Sequence, residues 1–131
     1  MVQELLFFVD NNTVSNSKEN ANIGDGIFFA TNSNNVVDNS KADGNGGAGI
    51  DLTNGGGTVT DSAANGNRSN GIFAGGPGNL LTGNSANGNG SDGISVVCPS
   101  NLYDNTALGN FGGDIVTSGT GCARLGNKPA P

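Results

Sequence analysis

The chain has 131 residues, a net charge of −6 and no histidine. Its five Lys and Arg residues (Lys18, Lys41, Arg68, Arg124 and Lys128) are scattered among eleven acidic residues, which argues against a nucleic-acid partner, because phosphate binding needs clustered cations. Glycine (24 residues) and asparagine (22) together make about a third of the chain, and only 34% is hydrophobic and 12% charged; low hydrophobicity without high charge is not the usual composition of disorder and suits a fold made largely of turns.

The first predicted element is the apolar run Leu5–Val9 within ELLFFVD. It reads as an N-terminal strand or cap over residues 1–10, with Leu5, Phe7 or Val9 inward, and its apolar end is a surface for self-association. It lacks a basic leader region and a small-residue cleavage site and follows Glu4, so it does not read as a signal peptide. No stretch approaches the roughly 20 apolar residues of a membrane span.

From about residue 11 to 117 the sequence repeats. The words DGIFF, AGIDL, NGIFA, DGISV and GDIVT place Ile27, Ile50, Ile72, Ile94 and Ile115 at intervals of 23, 22, 22 and 21. Asn22, Asn45, Asn67, Asn89 and Asn110 each precede one of these isoleucines by five residues. An apolar position, Val14, Val37, Val59, Leu81 and Tyr103, opens each unit, with Asn12, Asn35, Gly57, Asn79 and Asn101 two residues before it. Each unit also has an alanine column (Ala42, Ala64, Ala86, Ala107) and an inward partner two after the isoleucine (Phe29, Leu52, Ala74, Val96, Thr117). A period above 20 with short patches and no helical spacing means stacked coils, because one unit cannot bury its own patches. The predicted fold is all-β: a parallel β-helix, or solenoid, of about five coils of 21–23 residues, forming one domain over 1–131 with a closing segment and tail at 118–131, where the final GNKPAP reads as a frayed tail or linker. The expected core is Val14, Ile27, Val37, Ile50, Val59, Ile72, Leu81, Ile94 and Ile115. The asparagine column is expected to form a ladder of side-chain amides, and the glycines before isoleucine to sit at corners that a β-carbon would crowd.

The units NLLTGNSANGNGSDGI and GTVTDSAANGNRSNGI resemble repeats of bacterial right-handed parallel β-helix proteins of the pectate-lyase-like superfamily. The resemblance covers about 11–117 and implies right-handed coils. The run CPSNLYDNTALGN…GTGC is similar to the closing coil of secreted members, with a paired cysteine. The superfamily includes polysaccharide lyases, hydrolases, epimerases, phage tailspikes and members of unknown role. The polygalacturonase-like subclass, which carries a histidine, is excluded by composition.

No residue set qualifies as catalytic. Residues between the inward pairs of the isoleucine column point outward, giving Phe28, Asp51, Phe73, Ser95 and Val116. Phe28 and Phe73, two coils or about 10 Å apart, could stack on sugar rings, with Asp51 and Ser95 between and beside them; a partly covered surface is the plainer alternative. GGAGID resembles a calcium nonapeptide but does not recur in tandem, and TVT at Thr58–Thr60 occurs once rather than on every coil, so neither calcium nor ice binding is expected. Cys98 and Cys122 are 24 residues apart, which places them on adjacent coils; they either bridge, stapling the final coil, or remain free thiols. Two cysteines without histidine make no metal site, and no cofactor is expected. The functional expectation is a non-enzymatic structural module that binds carbohydrate, extracellular or on the cell surface if the cysteines pair. The alternatives are a portion of a polysaccharide-degrading enzyme and an end-to-end assembly element.

Overall fold

Three-residue apolar patches bounded by glycine and asparagine leave room for one outward residue between two inward ones, and the strands have that form. The structure, a computed structural model, describes residues 4–30 and 33–129. Residues 1–3 and 130–131, the extremes of the expected N-terminal strand and tail, lie outside the described residues, as do 31–32. Strands are labelled β1 to β14 in chain order. β1 (Leu5–Phe7), β3 (Ile27–Phe29), β5 (Ile50–Leu52), β7 (Ile72–Ala74), β9 (Ile94–Val97) and β12 (Ile115–Ser118) stack in that order as one parallel six-stranded sheet. β2 (Thr13–Ser15), β4 (Val36–Asp38), β6 (Thr58–Thr60), β8 (Leu80–Thr82), β10 (Asn101–Tyr103) and β13 (Ala123–Leu125) form a second. The third face is thinner. Single-residue parallel bridges join Lys18, Lys41, Ala63, Ser85 and Thr106 in turn, and β11 (Thr106–Ala107) pairs with β14 (Lys128–Pro129). The chain is therefore a parallel β-solenoid of about five turns.

Register follows the isoleucines. Ile27 pairs with Ile50, Ile50 with Ile72, Ile72 with Ile94 and Ile94 with Ile115. These five are buried, together with Val14, Val37, Val59 and Leu81, and with Phe29, Leu52, Ala74, Val96 and Leu102. Small side chains suffice on the third face, where Ala42, Ala64, Ala86 and Ala107 are fully enclosed. At the N-terminal end Leu5 and Phe7 pack against the core, with the Phe7 ring stacked on Phe29 at 4.9 Å. Phe8 and Val9 are exposed.

Asn22, Asn45, Asn67, Asn89 and Asn110 occupy one column. The backbone N–H of each donates to the side-chain oxygen of the next, at 2.8–2.9 Å, and the side-chain amides of Asn45, Asn67 and Asn89 donate to the same oxygens at 2.9–3.1 Å. The glycine column beside it is forced by this arrangement. A β-carbon on Gly71 would lie 2.6 Å from the Asn89 amide nitrogen and 2.6 Å from the Gly93 carbonyl. Asp114 takes the equivalent place in the last coil, and its carboxylate accepts from both nitrogens of Asn110, at 3.1 and 2.9 Å. The acid thus supplies the oxygen that another asparagine supplies lower in the stack.

A second polar column runs through Ser17, Ser40, Ser62, Asn84, Asn105 and Asn127, each backbone N–H reaching the next side chain at 3.0–3.1 Å. It holds the C-terminal segment in place. The run GNKPAP is expected from sequence as a frayed tail, yet Lys128 donates its backbone N–H to Asn105 at 2.8 Å and Asn127 is a rung of the ladder. A side-chain acceptor at the right interval keeps the segment in the stack as far as it is described.

Three sequence assignments shift. The inward residue after Leu81 is Leu102, not Tyr103, which pairs with Thr82. The residue stacking on Asn79 is Ser100, not Asn101, since the Asn79 backbone N–H donates to the Ser100 hydroxyl at 3.1 Å. Both follow from one cause: the path from the isoleucine to the inward leucine of the next strand is one residue shorter in this coil than in the one below, as Ile72 to Leu81 spans nine steps and Ile94 to Leu102 eight. The cations are also less scattered than their sequence positions suggest, because Lys18 and Lys41 are bridged neighbours on the third face.

Candidate functional site

The outer face of the first sheet is built by the alternation of each strand. With Ile27 and Phe29 inward, Phe28 must face out, and the same holds for Asp51 between Ile50 and Leu52 and for Phe73 between Ile72 and Ala74. Register then brings the outward residues into one column, Leu6–Phe28–Asp51–Phe73–Ser95–Val116. Asp51 lies between two phenylalanines, one coil below and one above. Neither ring is fully exposed; Phe28, Phe73 and Ser95 are half-buried, and Leu6 and Val116 are open to solvent. The Phe73 ring lies over the backbone of Gly75, where an added β-carbon would meet it at 2.8 Å.

Burial pushes the Asp51 carboxyl up to about 6. The Thr53 hydroxyl, donating to it at 3.0 Å, works in the opposite direction by favouring the carboxylate, while the charges of Asp25 and Glu4 raise it further. Glu4 is raised as well, by burial first and then by Asp25. Glu4, Asp25 and Thr53 therefore belong to the surroundings of Asp51, and sequence reading of the outward column missed all three. The only available signal was positional: Glu4 immediately precedes Leu5, and Asp25 precedes Ile27 by two residues, so both sit where a coil enters the first sheet.

Among the described residues, no three His, Cys, Asp or Glu side chains converge in a way that could hold a metal ion, and no helix is long and apolar enough to cross a membrane. The other acids of the sequence lie elsewhere. Asp38 accepts from the Thr60 hydroxyl at 2.7 Å on the second sheet, and Asp61 and Asp104 sit at corners with left-handed backbone, φ 46° and 54°. Cys98 and Cys122 form a disulfide with Cα atoms 5.0 Å apart, joining the turn after β9 to the segment that leads into β13.

A family model described as "Right handed beta helix region" matches residues 5–128. No curated protein matches the chain. Among solved structures, the A-module of the mannuronan C-5 epimerase AlgE6 of Azotobacter vinelandii superposes with a TM-score of 0.71 at 22% identity, over 82% of this chain and 32% of that one. Pectate lyase Pel9A superposes with a TM-score of 0.63 at 24% identity, over 71% of this chain and 27% of that one. At these identities the likeness is one of fold, and the chain spans about a third or less of either neighbour's length.

Proposed function

Because the chain belongs to the family of right-handed β-helix regions, we propose that it is a non-enzymatic module, secreted or on the cell surface, that holds a polysaccharide along the outer face of the first sheet. The observation that carries this reading is the column Phe28–Asp51–Phe73–Ser95. Its two aromatic rings stand two coils apart, about 10 Å at ordinary strand spacing, on a face that repeats as a polymer repeats. The faces of sugar rings stack on such aromatics, and Asp51 and Ser95 offer partners to hydroxyls between and beside them. Two further facts support the ligand class and the setting. The solved neighbours are named for pectate and mannuronan, and a disulfide fits an oxidising compartment. No basic residue stands in the column to serve as the base of a lyase.

Affinity electrophoresis through gels containing a panel of neutral and acidic glycans tests the proposal. At least one glycan should retard the chain, and the F28A/F73A double variant should run at the speed of a non-binder. Equal retardation of parent and variant, or no retardation by any glycan, rejects it.

One observation favours a second reading, a portion of a polysaccharide-degrading enzyme. A carboxyl that keeps its proton up to about pH 6 has the ionisation a general acid requires. A lyase would release unsaturated sugars that absorb in the ultraviolet, and a hydrolase would lower the viscosity of the polymer; a binder does neither.

A further inference from the structure

Asparagine followed by glycine occurs six times in the chain, at Asn45–Gly46, Asn54–Gly55, Asn65–Gly66, Asn70–Gly71, Asn87–Gly88 and Asn89–Gly90. The pair has a chemistry of its own. The backbone nitrogen of the glycine can attack the side-chain carbonyl carbon of the asparagine, and a glycine has no side chain to hinder the approach. Two atoms decide whether this happens in a folded chain. The attacking nitrogen must leave any hydrogen bond it makes, and the asparagine side chain must turn away from any donor that holds its oxygen. Each such bond adds to the barrier.

Five of the six pairs are held at both atoms. The N–H groups of Gly46, Gly66, Gly71, Gly88 and Gly90 donate to backbone carbonyls of neighbouring coils at 2.8–3.0 Å. The side-chain oxygens of Asn45, Asn65, Asn70, Asn87 and Asn89 each accept from a backbone N–H one coil away, also at 2.8–3.0 Å. Asn54–Gly55 is held at neither. It lies in the turn that leads from β5 to β6, with Asn54 exposed. Neither the Asn54 side chain nor the Gly55 N–H has a hydrogen-bond partner among the described residues. The coil above has no side chain to offer at this place, because a β-carbon on Gly76 would lie 2.2 Å from the Asn54 carbonyl oxygen.

We infer that Asn54 is a site of spontaneous deamidation, the one asparagine–glycine pair that the ladders leave reactive. The Gly55 nitrogen loses its proton and bonds to the Asn54 Cγ. The Cγ–Nδ2 bond breaks, and the side-chain nitrogen leaves with that proton as ammonia. The product is a five-membered succinimide, which water opens. Cleavage between the ring nitrogen and Cγ gives aspartate. Cleavage between the ring nitrogen and the Asn54 backbone carbonyl carbon gives isoaspartate, whose main chain runs through the former side chain. Either product adds a negative charge to a chain already at −6. Isoaspartate also lengthens the main chain by one methylene in a tightly packed turn, where a β-carbon on Gly55 would lie 2.4 Å from the Pro77 carbonyl oxygen and 2.5 Å from the Gly76 carbonyl carbon. The site does not depend on the polysaccharide reading.

The test is incubation of the full folded chain, disulfide intact, in mildly alkaline buffer, beside the reduced chain in concentrated urea. Samples are digested at intervals, and each site is placed by fragment mass spectra. Deamidation is read as replacement of NH2 by OH, and electron-transfer fragmentation separates isoaspartate from aspartate. In the folded chain Asn54 is expected to react at least tenfold faster than any of the other five. In urea the six should converge to within a few-fold, because the ladders are gone. N54S should remove the early acidic species seen on ion exchange. The inference is overturned if another of the six reacts first, if Asn54 stays intact while the unfolded chain deamidates, or if Asn54 leads by the same margin in urea, which would make local sequence rather than the fold the cause.

Discussion

Asparagine carries two kinds of energy here, depending on its place in the column. The Asn67 side-chain oxygen accepts from both nitrogens of Asn45, at 2.8 and 3.0 Å. Asn67→Ala leaves two buried donors unanswered and should cost about 2–4 kcal/mol, read as a shift in the urea midpoint. Asn22→Ala removes a side-chain amide that already lacks a partner and should cost less than about 1 kcal/mol; equal losses for the two variants would contradict the ladder account. The other notable residue is Asp51. Its folded pKa of about 6 lies above the ordinary 3.8, so the folded state holds the proton more tightly than the unfolded chain does. Stability is then greatest below about pH 4 as far as this group is concerned, and falls as pH rises through about 6. D51N should raise the melting temperature at pH 7–8, with the gain vanishing towards pH 4. A gain that persists unchanged at pH 4 would show that burial of the charge is not its source.

At the scale of the element, three-residue strands are too short to persist singly, and each is held by the strands above and below it. The last coil has fewer neighbours, and there the Cys98–Cys122 bridge closes a loop of 24 residues. Loop-closure entropy for that length is worth about 3 kcal/mol. C122S should lower stability by about that amount and speed hydrogen exchange in β13 and β14 before β5 and β7; uniform acceleration would indicate that the bridge does more than fix the end. Five of the six strands of the first sheet were legible in the sequence because each begins with an isoleucine that follows a glycine or, in the last, an aspartate; β1, which begins with Leu5, was read from its apolar run. The fifth rung of the second sheet was not. Leu102 and Tyr103 are both apolar, and the missing residue lies in the stretch before them, where VCPS replaces GGPGN and no hydrophobic pattern marks the gap. The frayed-tail expectation failed for a related reason, since Asn127 belongs to a ladder whose lower rungs are serines (Ser17, Ser40, Ser62), and the change of residue type hid the column. Of the site, the outward column could be read from strand alternation alone. The influence of Glu4 and Asp25 on Asp51 could not, because it depends on side chains from successive coils.

For the whole molecule, stability should behave as a sum over neighbouring coils, so that whole coils can be removed and fractions of a coil cannot. Deletion of Ile72–Gly93, 22 residues, joins Gly71 to Ile94 and preserves the glycine–isoleucine corner. That chain should still fold, with strand content lower by about one coil, and should lose glycan retention along with Phe73. Deletion of Phe73–Gly93, one residue fewer, slips the register and turns the inward side chains of the joined strand outward; it should fail to fold cooperatively. Comparable thermal transitions for the two deletions would count against stacked coils.

The central claim is that Phe28, Asp51, Phe73 and Ser95 are successive rungs of one column. Oxidation of paired cysteines tests it most directly, because Cα atoms more than about 7 Å apart cannot be bridged without backbone movement. In D51C/F73C the two positions are adjacent rungs, and mass spectrometry should find a new disulfide beside the native one after mild oxidation. In D51C/S95C they are two coils, about 10 Å, apart and both thiols should remain free. A bridge in D51C/S95C and none in D51C/F73C would contradict the register on which the proposed face depends.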